Sequence, residues 1–375
     1  MTTTIPSSPV FEVDPKRRYW VVRADAGSFY PHFVEHGLVA VGFLDIISPP
    51  AVSVEELPVK SGELLDRLIK KLQTGEPKLS APKIDTKVEQ CRRFIDDIYV
   101  GDWVITVQDR FLRIGRIVSD AFIDLTKKHP LPSADGLEQT PMSFALRRRV
   151  IWGPEIFRAA LPSIIRNALS AHLTIFSVDN YWQEIHHLLF PIFQVDKDLY
   201  FSLRLNSREG INNYLVSQLL EYCSEVEACV RLEASDNQPS DAFEDQVFNL
   251  AQHNQLRLET KASYFSPGII WGLLQDIGSS AVWVIPAYIA LFGNTKLGFD
   301  GIVDIKSKHK ILDFVLKRWD LKRGPKITEG LVIDAPVADT KKLTDKSKDV
   351  TNATVLKPVR AKVARRRALP SAKKE

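Results

Sequence analysis

The residues best suited to chemistry lie in the second half of the chain. Asp300-Gly-Ile-Val-Asp304 precedes Asp313-Phe-Val-Leu-Lys317-Arg-Trp319. Two carboxylates and a lysine can hold Mg2+ and activate a water for hydrolysis. Val315, two residues before Lys317, cannot coordinate a metal. Glu259-Thr-Lys261 comes nearest otherwise: it lies in a predicted strand, with Glu244 and Asp245 upstream on a predicted helix. The expectation is therefore no catalytic residue, no bound metal and no cofactor. Asp304 with Lys317, or Glu259 with Lys261, are the alternative nuclease sets, and Mg2+ is the ion either would use. His32 and His36 are four apart on a short predicted helix but have no third ligand nearby. The adjacent His186 and His187 point to different faces. Gly293 to Gly301 has glycines but lacks the Lys-Ser/Thr of a phosphate loop. Three cysteines, Cys91, Cys223 and Cys229, lack metal spacing, read as buried inert thiols, and are too few for a disulfide scaffold. That usage fits a reducing, cytoplasmic compartment.

Regular elements must position any site. Residues 1–17, with three prolines and many Ser/Thr, read as a disordered lead. Tyr19–Arg23 and Leu38–Phe43 read as strands, and Phe29–Gly37 between them as a short helix. Helices are predicted over Gly62–Gln73 and Lys87–Asp97. Val100–Val107 and Phe111–Val118 flank the polar Gln108-Asp109-Arg110 and read as a β-hairpin. Ala121–Leu125 and the basic Arg147–Trp152 add strands, and a small mixed β-barrel is the natural packing. Residues 154–190 read as helical, with a Ser170–Phe176 connection. Leu199–Leu205, Ile211–Cys223 and Ala228–Leu232 read as strand, helix and strand, a ferredoxin-like hint. A helix over Ala242–His253, a strand over Gln255–Tyr264, a strand at Ile302–Ile305 and a helix over Ile311–Trp319 follow. From about Asp320 the chain turns polar and then basic.

The fold class expected is α+β: a small mixed barrel, helices, a C-terminal α/β region and a disordered basic tail. The boundaries are a lead over 1–17, the barrel over 18–155, a helical connector over 156–195, an α/β effector or interaction domain over 196–325 and a tail over 326–375. The last of these explains the charge. The chain is +4 overall, but residues 341–375 hold twelve Lys or Arg against three Asp or Glu, so residues 1–340 are net acidic. A globally basic nucleic-acid surface is excluded; a local basic groove or a basic arm is not. Ile277–Thr295 has 19 residues without a charge. With Gly268–Leu274 it can form an apolar hairpin, read first as a buried core helix. A membrane-directed segment over 268–292 is the alternative. The C-terminal region is also where a second copy or a protein partner would bind.

The ordered set Trp20-Val-Val-Arg23, Phe33–Gly42, Gly101-Asp-Trp-Val, Arg113-Ile-Gly-Arg-Ile-Val118 and Arg147-Arg-Arg-Val-Ile-Trp152, with Leu161–Phe176 trailing it, resembles a PUA-like (EVE-like) domain. Such domains stand at the front of Mrr-type and other modification-dependent restriction and antiphage proteins. The resemblance covers about residues 18–185, roughly half the chain. Asp304, Val315 and Lys317 echo the Mrr-like nuclease pattern, with Val315 in the Gln/Glu position. Where the family often has a glycine-rich loop after the first strand, this chain has Asp25 and Gly27.

The resemblance implies recognition of DNA or another nucleic acid, often through a modified base flipped into a pocket. A flipped base needs an apolar face and polar groups for its edge. Trp20, Trp103 and Phe111 supply faces, with Phe43. Asp102 can accept from an exocyclic amine. Arg23, Arg113, Arg147 and Arg148, with Arg110, Arg116 and Arg149, can bind flanking phosphates.

Overall fold

The computed structural model describes residues 11–45, 61–75, 79–124, 141–142, 144–171, 173–207, 210–234, 239–263, 268–276, 310–334 and 343. In chain order, β1 Phe11–Glu12, β2 Tyr19–Val22, α1 Tyr30–Glu35, β3 Leu38–Val41, α2 Ser61–Thr74 and α3 Ala81–Arg92 come first. The hairpin β4 Trp103–Val107 and β5 Phe111–Ile117 follows, with β6 Phe122–Ile123 and the long β7 Leu146–Phe157. The middle of the chain forms α4 Ser163–Ala168, β8 Ile175–Ser177, α5 Trp182–Leu189, β9 Ile192–Val195 and β10 Asp198–Leu205. The C-terminal elements are α6 Asn213–Ala234, α7 Phe243–Gln252, β11 Leu258–Ser263, β12 Gly268–Leu274, α8 Lys310–Leu321, α9 Gly324–Leu331 and β13 Ile333–Asp334.

The chain is α+β, built on two sheets. The first runs β3-β7-β5-β4-β2-β8, with β6 beside β7, and curls into a half-barrel. Within it β2 lies parallel to β4, with Tyr19 opposite Trp103. The remaining pairings are antiparallel. A bulge between Arg113 and Gly115 drives the curl. Gly115 is required there: a Cβ on it would stand 2.6 Å from Val150 Cγ1 and 2.7 Å from the Ile151 carbonyl oxygen. The second sheet runs β1-β9-β10-β12-β11, with β13 against β10.

Alternation along the strands divides the core into three. Trp20 and Val22 of β2 and Val104 of β4 face an inner cluster closed by α1, α2, α3 and the turn after it through Phe33, Leu68, Leu72, Cys91 and Phe94. Tyr19 and Val21 of β2, with Trp103, Ile105 and Val107 of β4, face the opposite way, into a seam shared with α4, α5, β9 and Tyr200 of β10. Leu199, Phe201, Leu203 and Leu205 of β10 then face α6, α8 and α9 through Leu219, Tyr222, Val315, Trp319 and Ile327. A sheet covered on both faces needs apolar residues at every position, which is why β2 and β4 read as continuous apolar runs rather than as alternating strands.

Several expectations are corrected. The first sheet is an open half-barrel: β3 and β8 are its two ends and do not pair with each other. Ala228–Leu232 is not a strand but the end of the 22-residue α6. No glycine or proline interrupts 213–234, and Arg231 closes an i,i+4 ion pair with Glu227 (2.6 Å), so the helix propagates and the ferredoxin-like unit does not form. The 156–195 stretch is not only helical: it contributes β8 to one sheet and β9 to the other. Phe11 and Glu12, inside the expected disordered lead, pair with Phe193 and Gln194. The chain is also regular beyond Asp320: α9 buries Ile327 and Leu331 in the cluster shared by β10, α6 and α8. The Ile311–Trp319 helix and the hairpin stand as read. Residues 277–309, with the apolar run and Asp304, lie outside the described residues. Gly268–Leu274 is a central strand between β10 and β11. Among the described residues no helix is long and apolar enough to cross a membrane.

Candidate nucleic-acid interface

The residues singled out for nucleic acid divide into an interior group and a rim group. Trp20, Asp102, Trp103, Arg147 and Arg148 are interior, each at most 2% exposed. Asp102 accepts from the backbone amides of Tyr99 (2.9 Å) and Arg18 (3.2 Å) and from Trp20 Nε1 (3.2 Å). Burial raises its pKa above the ordinary carboxylate value, and these donors pull it back. It ties the start of β4 to β2, and its oxygens are occupied. Trp103 meets Phe11 and His186 edge to face, at centroid distances of 5.9 and 5.2 Å, inside the seam. A ring so enclosed has no face to offer a base.

The basic strand start at Arg147 is structural too. Arg147 pairs with Asp124 at 2.8 Å and donates to the Phe144 carbonyl at 2.7 Å. Arg148 donates to the carbonyls of Phe94, Ile95 and Ser119 at 2.8–3.0 Å. Two of these belong to the π-helical turn Arg93–Asp97 that ends α3, so the guanidinium caps a turn that would otherwise bury bare carbonyls. Burial lowers its pKa to about 10.

The rim group lies where the C-terminal ends of the parallel strands β2 and β4 meet the end of β7. Arg23 follows β2, and its Nη2 donates to the Leu169 carbonyl at 2.5 Å. Arg158, just past β7, donates to the carbonyls of Gln108 (3.2 Å) and Asp109 (3.4 Å) at the hairpin tip. Its amide bonds the Arg110 carbonyl at 2.9 Å. The Nε atoms of Arg23 and Arg158 are buried without a partner. Neither guanidinium makes an ion pair among the described residues, although the exposed Asp25 and Asp109 stand in the adjoining loops. Burial first, and the neighbouring Arg158 second, lower the Arg23 pKa. Two like charges held close by backbone carbonyls alone make a field that an anion relieves.

An aromatic ledge borders this pair. Phe111 and Phe157 face each other across β5 and β7 at a centroid distance of 4.7 Å, and Phe157 is 61% exposed. Arg110, at the tip, is exposed. Arg113 donates to the Gly153 carbonyl at 3.0 Å and approaches Glu155 at 3.8 Å, so it is partly engaged. Under the ledge, Asp25, Ala26 and Gly27 take φ of 49°, 53° and 100° in succession. A Cβ on Gly27 would lie 3.4 Å from Gln108 Cα, so this turn packs against the hairpin tip. Left-handed backbone at two non-glycine residues costs energy and concentrates at functional sites.

Arg158 and Phe157 escaped sequence reading because they fall in a stretch that reads as helical. Only the pairing of Phe157 with Phe111 brings them to the hairpin tip.

Of the nuclease alternatives, Asp304 lies outside the described residues, and Glu259 and Lys261 are each engaged with other partners. Glu259 accepts from Gln275 Nε2 at 2.6 Å, and Lys261 pairs with Glu184 of α5 at 3.3 Å. Upstream, Glu244 approaches Arg318 at 3.4 Å. Lys317 is exposed on a helix instead of a strand, and Val315 is in the core. Among the described residues no three His, Cys, Asp or Glu come together as a metal site. Comparison with protein-family models, with curated proteins and with solved structures gives no match.

Proposed function

We propose that this chain is a nucleic-acid recognition protein whose half-barrel is a PUA-like reader, and that the reading edge is the rim of Arg23, Arg110, Phe111, Phe157 and Arg158. The observation that carries this is the Arg23–Arg158 pair: two guanidinium groups fixed by carbonyls, without carboxylate partners among the described residues, beside an exposed aromatic ring. Phosphate is planar-fork chemistry for arginine, and a base stacks on a phenyl face without sequence preference. The rim therefore takes one nucleotide, its phosphate on the arginines and its base on Phe157. A modified base is the specific ligand that the PUA-like resemblance implies, and restriction or antiphage defence its setting. The C-terminal sheet and helices serve as an effector or interaction module on this reading.

The test is fluorescence anisotropy of the full chain with labelled 20-residue single- and double-stranded DNA, plain or carrying methylated cytosine or adenine. Arg23→Glu with Arg158→Glu is expected to weaken binding at least tenfold with the melting temperature held within a few degrees. Equal binding by this variant removes the rim from the interface. No binding of any oligonucleotide by the parent at low salt overturns the proposal.

A further inference from the structure

One residue of the C-terminal basic segment is built into the half-barrel. Leu343 is completely buried and belongs to the seam cluster with Ile114 and Trp103. Its carbonyl accepts from Arg116 Nη1 at 2.9 Å. That guanidinium stands 5.7 Å from the centre of the Trp103 ring. The socket exists because residue 153 has no side chain: a Cβ on Gly153 would stand 2.8 Å from Leu343 Cδ1 and 2.9 Å from the Ile114 carbonyl oxygen. Glycine in mid-strand weakens a sheet, so its presence in β7 marks a close approach by something else. Here both the leucine and the Ile114 backbone make that approach. Enclosing the leucine takes its whole apolar surface out of water, which favours the seated state. The carbonyl bond to a charged donor adds direction.

After Leu343 the chain has 32 residues with ten Lys or Arg and three Asp or Glu. The last described strand before it, β13, lies on the other sheet. Without the socket the basic segment would be tethered only to the C-terminal module. With it, the segment starts on the half-barrel, on the strand pair β5 and β7 whose far end carries Phe111 and Phe157.

We propose that Leu343, seated on Gly153 and Arg116, is an anchor that docks this chain's own C-terminal arm onto the half-barrel, so that the arm acts as a second, sequence-independent contact to the nucleic acid held at the rim. The arm's role rests on the nucleic-acid reading above; the docking does not. An anchored cationic arm raises its own effective concentration at a bound polyanion and adds counterion release.

Two readouts separate these parts. The Lys342–Leu343 bond is a trypsin site whose leucine is enclosed in the docked state. In Leu343→Asp, and in the milder Leu343→Ala should the first variant melt early, tryptic cleavage there or at Lys346 is expected at least tenfold faster than in the parent. An unchanged rate overturns the docking. In the second readout, a labelled 20-residue DNA is titrated at 50 and 200 mM salt with the parent, the leucine variant and a chain ending at Leu343. The leucine variant is expected to lose several-fold in affinity, most of the loss seen on truncation, with a flatter salt dependence. Truncation that weakens binding while the leucine variant binds as the parent does overturns the anchored arm. Failure of the parent to bind DNA sinks the arm's role together with the nucleic-acid reading, and proteolysis still decides the docking.

Discussion

Two pairs of arginines on one sheet have opposite fates. Arg147 and Arg148 begin β7 and are buried, each fully engaged by a carboxylate or by carbonyls. Arg23 and Arg158 sit at the opposite end, each held by carbonyls through one nitrogen and without a countercharge among the described residues. The first pair stabilises; the second pair stores repulsion. A run of three consecutive arginines is therefore the less informative feature for binding, and two arginines 135 positions apart the more informative one. A buried charge persists only where its partners are satisfied, whereas an unsatisfied one persists where something else will satisfy it.

The largest effect that tests this contrast is Arg148→Ala. It strips three carbonyls of a charged donor and opens a cavity, and it is expected to cost upward of about 4 kcal/mol in chemical denaturation. A loss below about 1 kcal/mol would show that the arginine is not the cap of the α3 terminus. Next comes Trp103→Ala, with an expected loss of about 3–5 kcal/mol because the ring fills the seam. A stable variant that loses only DNA binding would instead place Trp103 at a pocket.

The seam also predicts a pH dependence. His186 bonds the Tyr19 hydroxyl at 2.7 Å and His187 the Ser202 hydroxyl at 2.8 Å. Burial lowers both imidazoles to about 3, with His187 a further cause for His186 and Lys261 for His187. Each depressed histidine binds its proton in the unfolded chain first. Stability is thus full above about pH 6.5 and falls as pH drops toward 3, by up to about 1.4 kcal/mol per pH unit for each histidine. Urea midpoints at pH 7 and pH 5 check this; a midpoint that does not fall at pH 5 would contradict neutral, enclosed imidazoles.

The smallest expected change is at the ledge. Phe157→Ala should weaken nucleic-acid binding by about 1–3 kcal/mol, the worth of one stacked base. Stability should move by less than about 0.5 kcal/mol, since the ring is mostly exposed. Equal affinity would move the stacking face elsewhere and leave the arginine pair as a phosphate contact alone.

Local signals carried much of the secondary structure. The polar Gln108-Asp109-Arg110 between two apolar runs specified the β4–β5 hairpin, and the leucine spacing of Gly62–Gln73 specified α2, because both patterns are set by neighbours in the chain. The same locality explains the misreading of Ala228–Leu232. A short apolar run by itself suits a strand or a buried helix equally; the uninterrupted stretch 213–234 around it and the Glu227–Arg231 pair make it helix. Among the site residues, Arg23 and Phe111 were legible because they end elements that are themselves legible. Arg158, Phe157, Gly153 and Leu343 were not. Their roles arise only when β5 pairs with β7 and the two sheets close on the seam. Composition alone located the positive charge in the last 35 residues. Where that charge is fastened, and which arginines face inward, follow from long-range strand pairing, which no window of sequence encodes.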